Sequence, residues 1–398
     1  MNKLVLAERS AAGVNDRAAA RTRPGRITGM AAVLATLLLS LTGCGTDGFL
    51  RFTGKTESGI RVPIDPLDAR ALGFSAQWPK MLPLGRGETI EHAVLAGDLV
   101  LTVERPHNLL TAISFRDGST VWRKPVGTEL EILYPPMRLT RGVADDDRVL
   151  INSNRRMFSY RAMDGALLYV TNLDYPVSHA PAIYNDFAIF GGGNGRVFAH
   201  SLISGFAHWE YQLPAEVRIA PALSGSMVFA VDASGIYVML DAATGDVLWK
   251  GRTFAPVDAA PAVASAIYLA SRDQTLYALD RRDGSDRWKY RDVQPLRESP
   301  VVVGEYVIQP LTGRGIVAIH AGEGHEVWRL PERAQVVHLY GDQLLLNMGN
   351  ALRMVDAATG ETLKQVPTRP LKTVLVDRET GNLVLVTVDG QMQRLDRM

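Results

Sequence analysis

Apolar residues along most of the chain come in short runs cut by polar turns at even spacing. Around the middle, Ala260-Pro-Ala-Val263 is followed by the run Ala266-Ile-Tyr-Leu-Ala270. A polar turn, Ser271-Arg-Asp-Gln274, leads to Thr275-Leu-Tyr-Ala-Leu279, and Asp280-Arg-Arg-Asp-Gly284 then leads to a last strand around Trp288. Short runs of this kind, separated by turn residues, predict four strands per unit in an all-β array. Asp at the start of the outer turn accepts hydrogen bonds from nearby amides, and Gly supplies positive φ at low cost.

The unit repeats. Leu240-Asp-Ala-Ala-Thr-Gly245-Asp-Val-Leu-Trp249 aligns with Leu279-Asp-Arg-Arg-Asp-Gly284-Ser-Asp-Arg-Trp288. The same frame recurs at Gly118/Trp122, Gly165/Tyr169, Gly205/Trp209, Gly324/Trp328 and Gly360/Lys364, at intervals of 47, 40, 40, 39, 40 and 36 residues. A second marker shares the period: Pro181, Pro221, Pro261 and Pro300 stand 40, 40 and 39 apart. Five of the six tryptophans (Trp122, Trp209, Trp249, Trp288, Trp328) lie four residues after a turn glycine. A large ring repeated there is expected to pack against the neighbouring unit and set its spacing.

The sixth tryptophan predicts how the array closes. The last unit stops after Gln391-Met-Gln-Arg-Leu-Asp396, before its outer strand, whereas Ser75-Ala-Gln-Trp78 carries a strand with no unit of its own. A strand from the start completing the sheet at the end would close a ring and remove its free edges. The expected fold is an all-β, eight-bladed β-propeller of four-stranded blades over residues 75–398, about 40 residues per blade.

The segment ahead of the ring reads differently. Residues 1–43 carry six basic and two acidic groups, including the basic stretch Arg17–Arg26, then the apolar Met30–Leu41 and Leu41-Thr-Gly-Cys44. Basic, apolar, then small residues is the order of a secretory signal. The apolar run is far shorter than the roughly 20 residues that cross a bilayer. Leu-Thr-Gly-Cys resembles a bacterial lipobox, which implies a signal peptide over 1–43 and a lipid on Cys44. Residues 44–74, with early glycines and then Pro63 and Pro66, are expected to form a mostly extended tether. The expected location is the periplasmic face of the outer membrane, held by lipid alone.

Without the first 43 residues the chain has a net charge of −3, which gives no case for a nucleic-acid partner. One cysteine excludes a disulfide scaffold and thiolate metal clusters. The eight histidines form no HxH or HxxxH pair, so spacing supports no metal site. Asp145-Asp-Asp147 lacks the alternating ligands of a calcium loop. Gly191-Gly-Gly-Asn-Gly195 joins two strands and reads as a hairpin, since a phosphate loop would open a helix.

Tyr237-Val-Met-Leu-Asp-Ala-Ala-Thr-Gly-Asp-Val-Leu-Trp249 resembles the outer-strand motif of the pyrroloquinoline-quinone-type β-propellers, over roughly residues 75–398. Some members are dehydrogenases that hold the quinone under adjacent cysteines and use calcium. This chain has neither the cysteine pair nor long cap insertions, so no cofactor and no catalysis are expected. Signal, lipid cysteine, tether and eight short blades together are similar to the BamB family of outer-membrane-protein assembly factors. That resemblance implies a non-catalytic scaffold that binds an envelope protein, the barrel-assembly machinery, through loops at one end of the ring. The candidate loops precede the repeat prolines and offer Tyr175, Val177, Arg218, Phe254, Asp258, Leu296 and Arg297. Two other readings stay open: a lipoprotein binding another envelope protein or a surface polysaccharide, and a quinone-dependent dehydrogenase.

Overall fold

The computed structural model describes residues 61–140 and 147–398; the expected signal, Cys44, Asp145 and most of the expected tether lie outside them. Tight turns join consecutive strands, so each group of four becomes one antiparallel sheet, and there are eight such sheets. Blades 1 to 7 span 89–125, 137–172, 182–212, 222–252, 262–291, 301–330 and 335–367. Blade 8 takes Leu371–Val376, Leu383–Thr387 and Gln391–Arg397 from the end of the chain, and its outer strand is Phe74–Met81. Phe74 pairs with Arg397 and Met81 with Gln391. The expected closure by the Trp78 strand is the observed one.

Among the described residues the apolar core is divided into eight clusters, one at each junction between neighbouring blades. Blade 4 shows why. Val238 and Leu240 join the cluster shared with blade 3, whereas Tyr237 and Met239 join the one shared with blade 5. A middle strand therefore buries both faces, and its residues read as an unbroken apolar run rather than an alternation.

The tryptophans lock these junctions. Each indole N–H donates to a backbone carbonyl of the next blade: Trp78 to Phe115 (2.9 Å), Trp122 to Ala162 (2.7 Å), Trp209 to Ala242 (3.1 Å). Trp249, Trp288 and Trp328 reach Arg281, Ala321 and Ala357 at 3.1, 2.9 and 2.8 Å. Each ring also lies against the next blade's turn glycine. A Cβ on Gly118, Gly165, Gly245, Gly284, Gly324 or Gly360 would fall 2.5–2.8 Å from it. These glycines are thus required twice, for a positive φ and for the absent side chain.

Two of the eight junctions lack the lock. Between blades 2 and 3, Tyr169 replaces Trp, and a Cβ on Gly205 would meet only Thr171 Cγ2 at 3.8 Å. Between blades 7 and 8 the outer strand carries Lys364, and the chain break leaves no turn glycine to cover. Here residues 62–73, expected to be extended tether, instead dock on the ring. Asp65 accepts from the Leu67 N–H at 2.8 Å and caps a helix, Pro66–Ala71, whose Pro66 suits the first turn. Ile64, Ala69 and Leu72 are buried with Leu352, Met354, Leu371 and Leu395 of blades 7 and 8. A helix of six residues is too short to show a helical period in the sequence.

Candidate functional site

The ring presents two sets of connections at opposite ends of its strands. One end carries the outer turns that hold the repeat glycines. The other carries the blade-to-blade loops together with the turns between second and third strands. Backbone bonds tie that second set together: Gly193 N–H donates to Pro176 (3.1 Å), Val217 to Gly192 (3.0 Å), Arg272 to Pro256 (3.0 Å) and Leu296 to Ser271 (3.1 Å). The stretch Gly191–Gly195 is the hairpin expected, between strands Phe187–Gly191 and Arg196–Ser201.

Loop length is uneven around this end. Five consecutive junctions use long connections, 126–136, 173–181, 213–221, 253–261 and 292–300, whereas the next two use only 331–334 and 368–370. The four loops before the repeat prolines share one burial pattern. Leu173, Leu213, Thr253 and Asp292 are buried where the loop begins, and Val177, Val217, Val257 and Leu296 are buried four residues on. The residues just after each anchor are exposed, giving two rows: Asp174, Pro214, Phe254 and Val293, then Ser178, Arg218, Asp258 and Arg297.

This pattern corrects two of the expected contact residues. Val177 and Leu296 are 3% and 1% exposed, because they cover the ends of the junction cores, and they brace the loops without reaching the surface. Tyr175 is half-buried: it donates to Glu210 at 2.8 Å, accepts from Arg196 at 2.8 Å and stacks under that guanidinium. Arg218, Phe254, Asp258 and Arg297 do stand at the surface. Asp258 lies between Arg297 (3.6 Å) and Arg272 (3.7 Å), and Arg218 pairs with Glu216 in its own loop. Phe254 is 81% exposed.

Leu130 (94% exposed), Ile132 and Val293 are exposed apolar residues on the same end that the sequence pattern does not single out. The first two lie on the longest loop, which the 47-residue interval between Gly118 and Gly165 and the pair Pro135-Pro136 betray. Glu131 holds that loop down, accepting from the Thr128 N–H (2.7 Å), the Ser153 hydroxyl (2.9 Å) and Arg156 Nε (3.0 Å). Burial acts to raise the Glu131 carboxyl, but the Arg156, Thr128 and Ser153 bonds outweigh it and hold it at about 2, below the ordinary 4.5. A carboxyl depressed on folding stabilises the folded form fully above its unfolded value, and the contribution fades as pH falls through the folded one. Protection of the 126–136 amides from hydrogen exchange should therefore drop between pH 4.5 and about pH 2. Glu131→Gln should show the lowered protection already at neutral pH; unchanged protection in both cases would refute this role.

The opposite end bears out the turn role of the aspartates. Asp241 accepts from the Ala243 and Thr244 amides at 2.9 and 3.0 Å, and Asp356 accepts from Ala358 and Thr359, both at 2.9 Å. Where Ser201 and His320 stand in that position they accept from the same turn, Ser201 from Ser204 (3.2 Å) and His320 Nδ1 from Glu323 (3.1 Å).

A family model described as outer membrane protein assembly factor BamB matches residues 106–250 and 194–398. The chain belongs to the BamB family. The crystal structure of BamB from Moraxella catarrhalis is similar in fold, with 17% identity, a TM-score of 0.62, and coverage of 81% of this chain and 97% of that one. The computationally designed Ika8 protein is similar to the same degree, with 13% identity, a TM-score of 0.62, and coverage of 79% and 98%. A designed protein sharing the fold underlines that the propeller alone specifies no activity. No curated protein matches the sequence.

Proposed function

We propose that this BamB-family chain is a lipid-anchored, non-catalytic scaffold at the periplasmic face of the outer membrane. In this reading it assists barrel assembly by docking the barrel-inserting machinery on its long-loop end. The observation that carries the reading is the run of five long loops, which sets exposed Leu130, Ile132, Phe254 and Val293 on the same end of the ring as the charged Arg218, Asp258 and Arg297. Apolar and aromatic anchors flanked by arginine and carboxylate suit a protein interface of modest size, and loops on a rigid frame carry recognition. Cys44 supplies the anchor by its lipobox-like context.

The test is site-specific photocrosslinking in cells from Leu130, Phe254 and Val293, with Leu248 and Leu363 on outer strands as controls. Capture of the barrel-inserting machinery from the loop positions alone is expected. Capture of a different envelope protein, or of polysaccharide, would overturn the assignment, and equal capture from the controls would overturn the interface. In the same cells Cys44→Ala should move the protein from the membrane to the soluble periplasmic fraction; retention in the pellet would remove the anchor.

A further inference from the structure

The end of the ring opposite the long loops carries one turn unlike its sisters. In blade 6 the repeat aspartate is replaced by His320, and the turn reads His320-Ala-Gly-Glu-Gly-His325. The histidines are five residues apart, a spacing that suggests no ligand pair on a helix or a single strand. The hairpin brings them together: the His320 N–H donates to the His325 carbonyl at 2.9 Å, so both stand at the base of one turn. Their rings lie nearly parallel with centroids 5.3 Å apart. Glu323 sits at the tip, with His325 Nδ1 3.2 Å from its Oε2. One ligand atom from each of the three lies within 4.8 Å of the other two.

We propose that His320, Glu323 and His325 form a surface site for a divalent first-row transition ion of the zinc class. Two imidazoles and one carboxylate suit zinc, nickel or copper; calcium and magnesium would require a shell of oxygens. Ligand atoms around tetrahedral zinc stand about 3.3 Å apart, given zinc–ligand distances of about 2.0–2.1 Å. From within 4.8 Å of one another the ligand atoms have to close to that separation, and the exposed Glu323 and His325 side chains have room to move. His320 Nδ1 now accepts from the Glu323 amide. Coordination through that atom exchanges one turn hydrogen bond for a metal bond, so the site is one of moderate affinity. The remaining coordination position is left to water or to a group from another molecule.

The site lies away from the proposed docking loops, and its test is independent of them. Tag-free, chelator-washed protein would be titrated with zinc chloride against a colorimetric zinc indicator. The expected result is one saturable zinc per chain. His325→Ala removes a ligand outright. His320→Ser installs the residue that Ser114 and Ser201 supply in two sister turns, where the hydroxyl accepts from the turn backbone, and so preserves the fold without adding a carboxylate ligand, which circular dichroism would verify. Each is expected to weaken binding at least about tenfold, a loss in line with disturbance of a metal shell. His107→Ala, at the other exposed histidine–carboxylate contact (2.6 Å to Glu129), should leave binding unchanged. Absence of saturable binding, binding retained in both turn variants, or binding abolished by His107→Ala would overturn the site.

Discussion

Deleting residues 62–81 should abolish the cooperative thermal unfolding of the ring. The deletion leaves the edge of strand Gln391–Arg397 without its partner and opens the two junctions on either side of blade 8. It also removes Ile64, Leu72 and Phe74, all buried, together with Trp78 and its bond to Phe115. Each fully buried side chain of this size contributes about 1.5–3 kcal/mol, so Ile64, Leu72 and Phe74 together contribute about 4.5–9 kcal/mol before the half-buried Trp78 is added. That matches the whole stability of an ordinary domain, about 5–15 kcal/mol. Circular dichroism melting and gel filtration would show the loss, and a peptide covering 62–81 added in trans should restore part of it. A melting temperature within a few degrees of the intact protein would mean that the closing strand is dispensable.

The second large effect separates two glycines that look alike in sequence. Gly284→Ala places a methyl 2.5 Å from Trp249 Cε3 at a φ of +72°. The left-handed backbone costs about 1–2 kcal/mol for a residue with a side chain, and overpacking against the ring adds about 1–3 kcal/mol. Gly205→Ala has a matching φ of +74° but meets only Thr171 Cγ2 at an ordinary contact distance of 3.8 Å, so only the first cost applies. The two variants should differ by about 1–3 kcal/mol in denaturant unfolding, with Gly284→Ala the less stable. A Trp249→Ala background should erase that difference, because the clash disappears with the ring. Equal destabilisation by both glycine variants would show that the tryptophan does not hold the junction.

Much of this was legible in the chain because a repeat states each element several times. Turn glycines, prolines and tryptophans share one period, as an array of equal units requires. The closing strand was legible for the same reason: a final unit that stops at Asp396 needs the strand that Ser75–Trp78 has to spare. The BamB resemblance followed from the same motif. Family membership rests on the match over 106–398, which the blades carry.

The contact residues were only partly legible. Alternation cannot tell which side of a nine-residue loop faces the core, so Val177 and Leu296 looked as available as Arg218 and Phe254. In the ring, a hydrophobic residue in the middle of each loop covers the end of a junction, and the residues beside it are pushed to the surface. The helix Pro66–Ala71 was hidden for a different reason: its stability comes from Ile64, Ala69 and Leu72 meeting blades 7 and 8, residues nearly 300 positions away. The pairing of His320 with His325 was likewise invisible, since spacing along a chain does not report which atoms a hairpin brings face to face.

What the sequence determined alone is therefore the local and repeated part: strands, turns, blade count, closing partner, and the tryptophan–glycine register. These follow from residue chemistry acting over a few positions, copied about every 40 residues. What only the tertiary structure decided is how the two faces of each strand divide between neighbouring junctions, which loop residues reach solvent, and what fills the junction at the chain break. Those depend on contacts between blades, and a contact between blades has no signature in either segment taken by itself.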